Sequence, residues 1–250
     1  MMTRVKTTQE IQTMRESGRM LATVLQLLKS QLTVGMSTKD MAQIAATELN
    51  RLGGQPTFLG YQGFPDVICI SINEEVVHGI PRASKVIRPG DIVSLDFGVT
   101  YRGMITDAAI SCIAGKGQTE DQALVEVTKT SLEAGIQTVR DKVWTGDIGA
   151  AIASVLVKHN YGIVRDLVGH GVGHHLHEDP NIPNYGRKGT GTCLRSGMTI
   201  AIEPMATRGD YEVYTADDEW TVITADKSRS AHFEHTVLVT NSGVEVLTEL

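Results

Sequence analysis

The sequence predicts one α/β domain, residues 1–250, built from two pseudo-symmetric halves of about 1–118 and 119–250. A pair of amphipathic helical segments opens each half. After each pair a histidine stands beside glycine, Val77-His78-Gly79-Ile80 in one half and Gly169-His170-Gly171-Val172 in the other. Each of these is followed by an alternating segment that ends on a carboxylate. A repeat of roughly 110 to 120 residues is too long for a solenoid unit and suits two related halves that share a cleft. No linker or low-complexity stretch separates them.

The elements follow from local chemistry. Thr7 to Glu10 reads as a capping box, and Ile11, Met14, Leu21, Leu25 and Leu28 then recur at helical spacing to about Leu32, where Gly35 ends the run. A second box, Ser37 to Asp40, opens a shorter helix with Met41, Ile44 and Leu49, stopped by Gly53-Gly54. In the second half Thr119 to Gln122 is expected to cap a helix carrying Leu124, Val127, Leu132, Ile136 and Val139. The break Trp144-Thr145-Gly146-Asp147 opens the next, with Ile148, Ile152, Val155 and Leu156.

The strands matter most for chemistry. In Ile92 to Tyr101, Val93, Leu95, Phe97 and Val99 face one way while Ser94, Asp96, Gly98 and Thr100 face the other. A turn at Arg102-Gly103 returns the chain, and in a hairpin with an even loop, positions whose numbers sum to an odd value share a face. Asp96 and Asp107 therefore share a face, opposite or within two positions of each other. Thr199, Ala201 and Glu203 share one face of a later strand, as do His232, Glu234 and Thr236 of another. Four carboxylates are thus expected mid-strand on faces otherwise lined by small or polar residues.

Composition excludes several classes of function. The chain has 250 residues, 41% of them hydrophobic, with 23 Lys and Arg against 29 Asp and Glu for a net charge of -6. A chain this long buries roughly 70 to 75% of its unfolded surface, so it needs neither disulfides nor oligomerisation to build a core. The excess acid provides no broad footprint for nucleic acid or anionic membrane. Cys69, Cys112 and Cys193 form neither a disulfide framework nor a CxxC pair, which fits a reducing cytoplasm. The N-terminus MMTRVKTTQEIQTMRES has no apolar h-region and no long apolar run follows, so neither a secretion signal nor a membrane span is expected.

Singly, each carboxylate reads as a solvated residue on a wet strand face. Together, four in one cleft would repel unless protonated or neutralised by cations. Two divalent ions would cancel four charges, with one or two neutral imidazoles completing the shell. An Asp/Glu/His set without thiolate suits Mn, Fe, Co or Zn in a two-metal hydrolytic site. Other catalytic templates are missing: there is no HExxH, GxxxxGK[ST], GxSxG or GxGxxG.

The strings VHGIP at 77–81, SLDFG at 94–98 with Thr106-Asp107, GHGVGHHLHEDP at 169–180, AIEPM at 201–205 and FEHTVLVT at 233–240 resemble the signature segments of type I methionine aminopeptidases. The resemblance runs in family order and at family spacing over nearly the whole chain. It implies the pita-bread fold, an antiparallel sheet backed by helices with a metal site in the central cleft. It further implies Asp96 as ligand of one ion, Asp107 and Glu234 as bridges, and His170 with Glu203 as ligands of the other.

By the same resemblance Glu203 is the proton shuttle, His177 donates to the developing oxyanion and His78 contacts the scissile amide. The implied reaction is removal of the initiator methionine from nascent polypeptides by a water or hydroxide held between two divalent ions, with preference for a small second residue. The implied methionine pocket is Phe58, Tyr61, Phe64, Cys69, Leu176 and Trp220. Phe58, Gln62 and Leu176 depart from the commonest bacterial pattern, where cysteine, histidine and phenylalanine are frequent. A monovalent cation near Asn73, Glu75 and Ser230 is implied by some relatives. His159, His174, His175, His232 and His235 are read as structural or incidental. Expected partners are the N-termini of nascent chains with transient ribosome association, for a cytoplasmic monomer lacking a zinc-binding N-terminal extension. Rival readings are a proline-specific peptidase of the same fold and a non-catalytic binding protein.

Overall fold

A computed structural model describes residues 5–249. Helix α1 (Thr8–Gln31) starts at the expected box: Glu10 N–H donates to the Thr7 hydroxyl, and Thr7 N–H donates to the Glu10 carboxylate at 2.7 Å. Helix α2 (Thr38–Leu52) repeats the device with Ser37 and Asp40 and ends on Gly53 at φ 83°, which a side chain would resist. Strands β1 (Gln55–Pro56), β2 (Cys69–Ile72), β3 (Glu75–Val77), β4 (Ile92–Tyr101) and β5 (Met104–Ile113) complete the first half.

The second half opens with α3 (Thr119–Thr138) and α4 (Thr145–Lys158). Here one expectation is corrected, because the cap of α3 is Gln118, with no side-chain hydrogen bond, and Thr119 is already helical. Ten short strands follow: β6 (Gly162–Ile163), β7 (Gly169–Gly171), β8 (Glu178–Ile182), β9 (Thr199–Ile202), β10 (Met205–Thr207), β11 (Val213–Thr215), β12 (Val222–Thr224), β13 (Ser230–His232), β14 (Glu234–Val239) and β15 (Val244–Val246).

Both halves feed one nine-stranded sheet, in the order β1-β4-β5-β14-β9-β7-β8, with β2 also on β4 and β15 also on β14. The Arg102-Gly103 turn has φ of 46° and 80°, the left-handed pair that a two-residue hairpin needs. It sets the register that aligns Asp96 with Ala109 and Gly98 with Asp107. The halves join at β5–β14, where Glu234 aligns with Ala109 and His235 with Ala108. Beyond those rungs a side chain takes over: the Thr236 hydroxyl accepts from Asp107 N–H at 2.9 Å and donates to Asp107 C=O at 2.8 Å.

The core is also divided by half. Leu21, Leu25 and Leu28 of α1 and Met41 and Leu49 of α2 pack on Ile70, Val93, Leu95 and Phe97. Leu132, Ile136, Ile148 and Ile152 of α3 and α4 pack on Ile200, Ile202 and Val237. Each such side chain contributes roughly 1.5–3 kcal/mol by leaving water. The odd-numbered residues of β4 thus lie under the first helix pair, which leaves the even-numbered ones, Asp96 among them, for the opposite face. Among the described residues no helix is long and apolar enough to cross a membrane.

Candidate active site

On that opposite face Ala109 of β5 has Asp96 of β4 as its partner on one side and Glu234 of β14 on the other. A methyl group between two carboxylates leaves room for both, and Asp107 joins them two residues along β5. His170 comes from β7, whose Gly171 pairs with Ile200 of β9, and Glu203 follows directly after β9.

Two of the four carboxylates are therefore not mid-strand, contrary to expectation: Glu203 lies just past β9, and Glu234 is the first residue of β14. Pro204 has no N–H for the ladder, so the strand breaks there. On the other side Phe233 N–H reaches across to Pro204 C=O at 3.3 Å, which interrupts the partner chain between β13 and β14.

Ligand-type atoms of Asp107, His170 and Glu234 lie within 4.8 Å of one another. His170 Nε2 is 3.4 Å from Glu203 Oε1. Its Nδ1 lies 3.0 Å from Gly171 C=O, which can only accept, so Nδ1 carries the proton and Nε2 turns a lone pair to the cluster. Asp96 Oδ1, Asp107 Oδ1 and Glu234 Oε1 are buried without a hydrogen-bond partner. Burial, reinforced by the Asp107 charge, pushes the Asp96 carboxyl well up, and burial lifts Asp107 to about 7. Glu203 and Glu234 rise for the same reasons, burial first and neighbouring carboxylates second. Burial also drives His170 down to about 3, so the imidazole is neutral.

Buried, mutually repelling carboxylates with orphaned oxygens beside a neutral imidazole require either bound protons or cations. The donor set is all oxygen and imidazole nitrogen, which fits Mn, Fe, Co or Zn and excludes a thiolate zinc site.

All thirteen residues expected at the site line one cavity of ≈ 150 Å³: Phe58, Tyr61, Phe64, Cys69, His78, Asp96, Asp107, His170, Leu176, His177, Glu203, Trp220 and Glu234, with Gln62 beside them. One wall is apolar. Phe58, Phe64, Cys69 and Leu176 are buried together, with Tyr61 and Trp220 packed against them. Phe64 meets Phe58 edge-on at 6.5 Å and Trp220 at 5.1 Å between centroids. Phe58 fits because Gly98 lacks a Cβ, which would stand 2.7 Å from its ring.

Two further histidines face the carboxylates. His177 stands edge-on to His170 at 4.4 Å, and its Nδ1 is 2.9 Å from the Tyr61 hydroxyl. His78 holds φ 59°, uncommon for a side-chain-bearing residue, and burial lowers it to about 4. Asn73, Glu75 and Ser230 also converge outside the cavity, where the Ser230 hydroxyl donates to the carbonyls of Asn73 and Glu75 at 2.9 and 3.1 Å. Of the histidines read as structural, His232 proves to adjoin the site, with Nε2 3.9 Å from Glu203 Oε2. The available signal was its parity with Glu234.

The sequence profile of metallopeptidase family M24 matches residues 12–241. The chain belongs to metallopeptidase family M24. Among M24 relatives, methionine aminopeptidase 1 of Bacillus subtilis (strain 168) is 43% identical over 98% of both chains. That of Aquifex aeolicus is 43% identical over 96% of each. The structure of the methionine aminopeptidase from Thermotoga maritima superposes at a TM-score of 0.98, with 43% identity and full coverage of both chains. That of the Rickettsia prowazekii enzyme superposes at 0.96, with 39% identity over 99% of this chain and 100% of that one. The prolidase from Pyrococcus furiosus shares the fold at a TM-score of 0.79 and 22% identity, and this chain covers 65% of it. The architecture is the pita-bread fold of the M24 peptidases, and the similarity to methionine aminopeptidases extends over the whole chain.

Proposed function

We propose that this M24 member is a methionyl aminopeptidase that removes the initiator methionine from nascent proteins and peptides, favouring a small second residue. The observation that carries the reading is a carboxylate–imidazole cluster opening directly onto an apolar, aromatic-walled slot within one cavity. Full-length similarity to methionine aminopeptidases supports it.

In this reading Asp96 would hold one divalent ion, His170 with Glu203 a second, and Asp107 and Glu234 would be shared between them. Such ions, Co, Mn, Fe or Zn, would supply acidification of a water and polarisation of the scissile carbonyl. The protein's side chains do the rest. The Tyr61 hydroxyl donates to His177 Nδ1, which leaves the proton of this neutral ring on Nε2, free to be donated to the carbonyl oxygen as it gains charge. Burial keeps His177 low in pKa, so the ring stays neutral and ready for that role. His78 contacts the scissile amide and the leaving nitrogen, and Glu203 carries the proton between water and that nitrogen. The methionine thioether lies against Phe58, Phe64 and Trp220, where each sulfur–ring contact contributes about 0.3–1.5 kcal/mol. Tyr61, Cys69 and Leu176 close the slot.

The chain acts as one catalytic unit, residues 1–250, whose halves, about 1–118 and 119–250, face each other across the cleft. Its partners are the N-termini of nascent polypeptides, met in the cytoplasm during transient ribosome association by a monomer. Asn73, Glu75 and Ser230 offer oxygens for a monovalent cation. The test is methionine release from Met-Ala-Ser by protein reconstituted with Mn or Co. Release supports the reading, and an intact tripeptide defeats it.

A further inference from the structure

The ring of His232 has no part in the chemistry above, yet it is 1% exposed and neither Nδ1 nor Nε2 has a hydrogen-bond partner. A neutral imidazole offers one N–H donor and one acceptor, and burying both unmet is unfavourable. The backbone around it is fixed. His232 N–H donates to the Ser111 hydroxyl at 2.9 Å, and that hydroxyl donates to His232 C=O at 2.8 Å. Ser111 lies 2.8 Å from the Ser94 hydroxyl on β4, so β13 is tied across both strands of the hairpin that carries Asp96 and Asp107.

From this fixed position Nε2 faces two carboxylate oxygens, Glu203 Oε2 at 3.9 Å and Glu234 Oε2 at 4.0 Å. Glu234 is already braced by its rung opposite Ala109. Glu203 has no such rung, since it follows the end of β9 and precedes Pro204; its backbone C=O accepts from the Asn184 side-chain amide at 3.0 Å, which leaves the carboxylate itself to be placed by its neighbours. Its two oxygens are instead divided between two imidazoles, Oε1 beside His170 Nε2 at 3.4 Å and Oε2 beside His232 Nε2. The rings differ in kind. The Nδ1 proton of His170 is committed to Gly171, which leaves its Nε2 as a ligand, whereas His232 has no such tie and can carry its proton on Nε2.

We propose that His232 is a positioning residue for Glu203: its Nε2–H, 3.9 Å from Oε2 and so acting by electrostatic attraction rather than through a hydrogen bond, draws that oxygen toward β13 and leaves Oε1 for the ion shared with His170. The inference rests on the reading of Glu203 as a metal ligand. Partners of ligating carboxylates commonly set metal affinity by 10- to 100-fold.

Calorimetric titration of Mn2+ into the wild type, His232→Leu, His232→Gln and Glu203→Gln tests this, with a thermal melt of each metal-free protein as the folding control. The expected result is a 10- to 100-fold weaker affinity for His232→Leu, wild-type affinity restored in His232→Gln, whose amide can donate, and weakened binding in Glu203→Gln. If His232→Leu binds Mn2+ like the wild type while Glu203→Gln does not, the positioning role is overturned and the ligand reading stands. If Glu203→Gln also binds like the wild type, both fall. Should His232→Leu fail to fold, nitrogen-15 spectra of the Zn2+-loaded wild type decide: a protonated Nε2 on His232 supports the proposal, and an unprotonated one overturns it.

Discussion

Lys6 Nζ lies 3.0 Å from Glu178 Oε2, with both side chains closed off from solvent. The other oxygen of Glu178 accepts the backbone N–H groups of His174 and His175 at 2.8 and 3.0 Å. The segment before α1 thus reaches the loop that presents His177. Removing the lysine takes a buried cation from beside Glu178, whose carboxylate keeps its backbone donors but loses charge compensation, so Lys6→Met is expected to cost up to about 3–5 kcal/mol. Lys6→Met/Glu178→Gln should recover part of that loss. Urea denaturation of the two proteins checks this, and equal stability in both would contradict it.

Raised carboxyls and lowered histidines pull the pH dependence of the metal-free protein in opposite directions. Burial pushes His170 and His232 down to about 3 and His78 and His235 down to about 4, so these rings make stability rise with pH up to the unfolded histidine value, while the carboxyls do the reverse. An acid whose pKa is higher folded than unfolded makes the folded state hold more protons, so stability falls as pH rises past the unfolded value. For Asp96, Asp107, Glu203 and Glu234 the fall should begin near pH ~4, the unfolded carboxylate range, and continue through about 7, the value for Asp107. Divalent ions must displace those protons, so stabilisation by added Mn2+ should grow across the same window. Melting temperatures with and without Mn2+ should therefore diverge as pH rises. Glu10, lowered to about 2 chiefly by the Thr7 backbone N–H and then by His174, acts with the opposite sign below that window.

Asp107 is read as a bridge, and its backbone is held by Thr236 from the other half of the chain. Asp107→Ala should abolish tight metal binding and reduce tripeptide cleavage by more than the roughly 10- to 100-fold expected for loss of an outer partner. Initial rates at saturating Mn2+ measure this.

Tyr61→Phe removes one hydroxyl and little volume. Losing its bond to His177 Nδ1 leaves the ring's tautomer unfixed. A hydrogen bond of about 0.5–1.5 kcal/mol corresponds to a fall of roughly 2- to 12-fold in kcat. KM for Met-Ala-Ser should change less, and a change confined to KM would assign Tyr61 to substrate binding alone.

Much of this architecture was legible because it is local. The boxes at Thr7–Glu10 and Ser37–Asp40 close within one turn, and strand parity put Asp96 and Asp107 on one face once the Arg102-Gly103 turn fixed an even loop. Parity could not place Glu203 and Glu234 at strand ends, since Pro204 breaks one strand and Phe233 answers it from the next through a contact 29 residues away in sequence. The cap at Gln118 escaped because it makes no side-chain bond. His232 was unreadable for a related reason. Its parity with Glu234 was visible, but a ring's lack of partners exists only once β5, β10 and β13 have assembled around it.

The central claim is that carboxylates from both halves of the chain share two divalent ions. An anomalous-scattering map from Mn2+-soaked crystals tests it most directly. The account predicts two peaks bounded by Asp96, Asp107, His170, Glu203 and Glu234, with Asp107 and Glu234 touching both. No peak there, or peaks only at surface carboxylates, would contradict it.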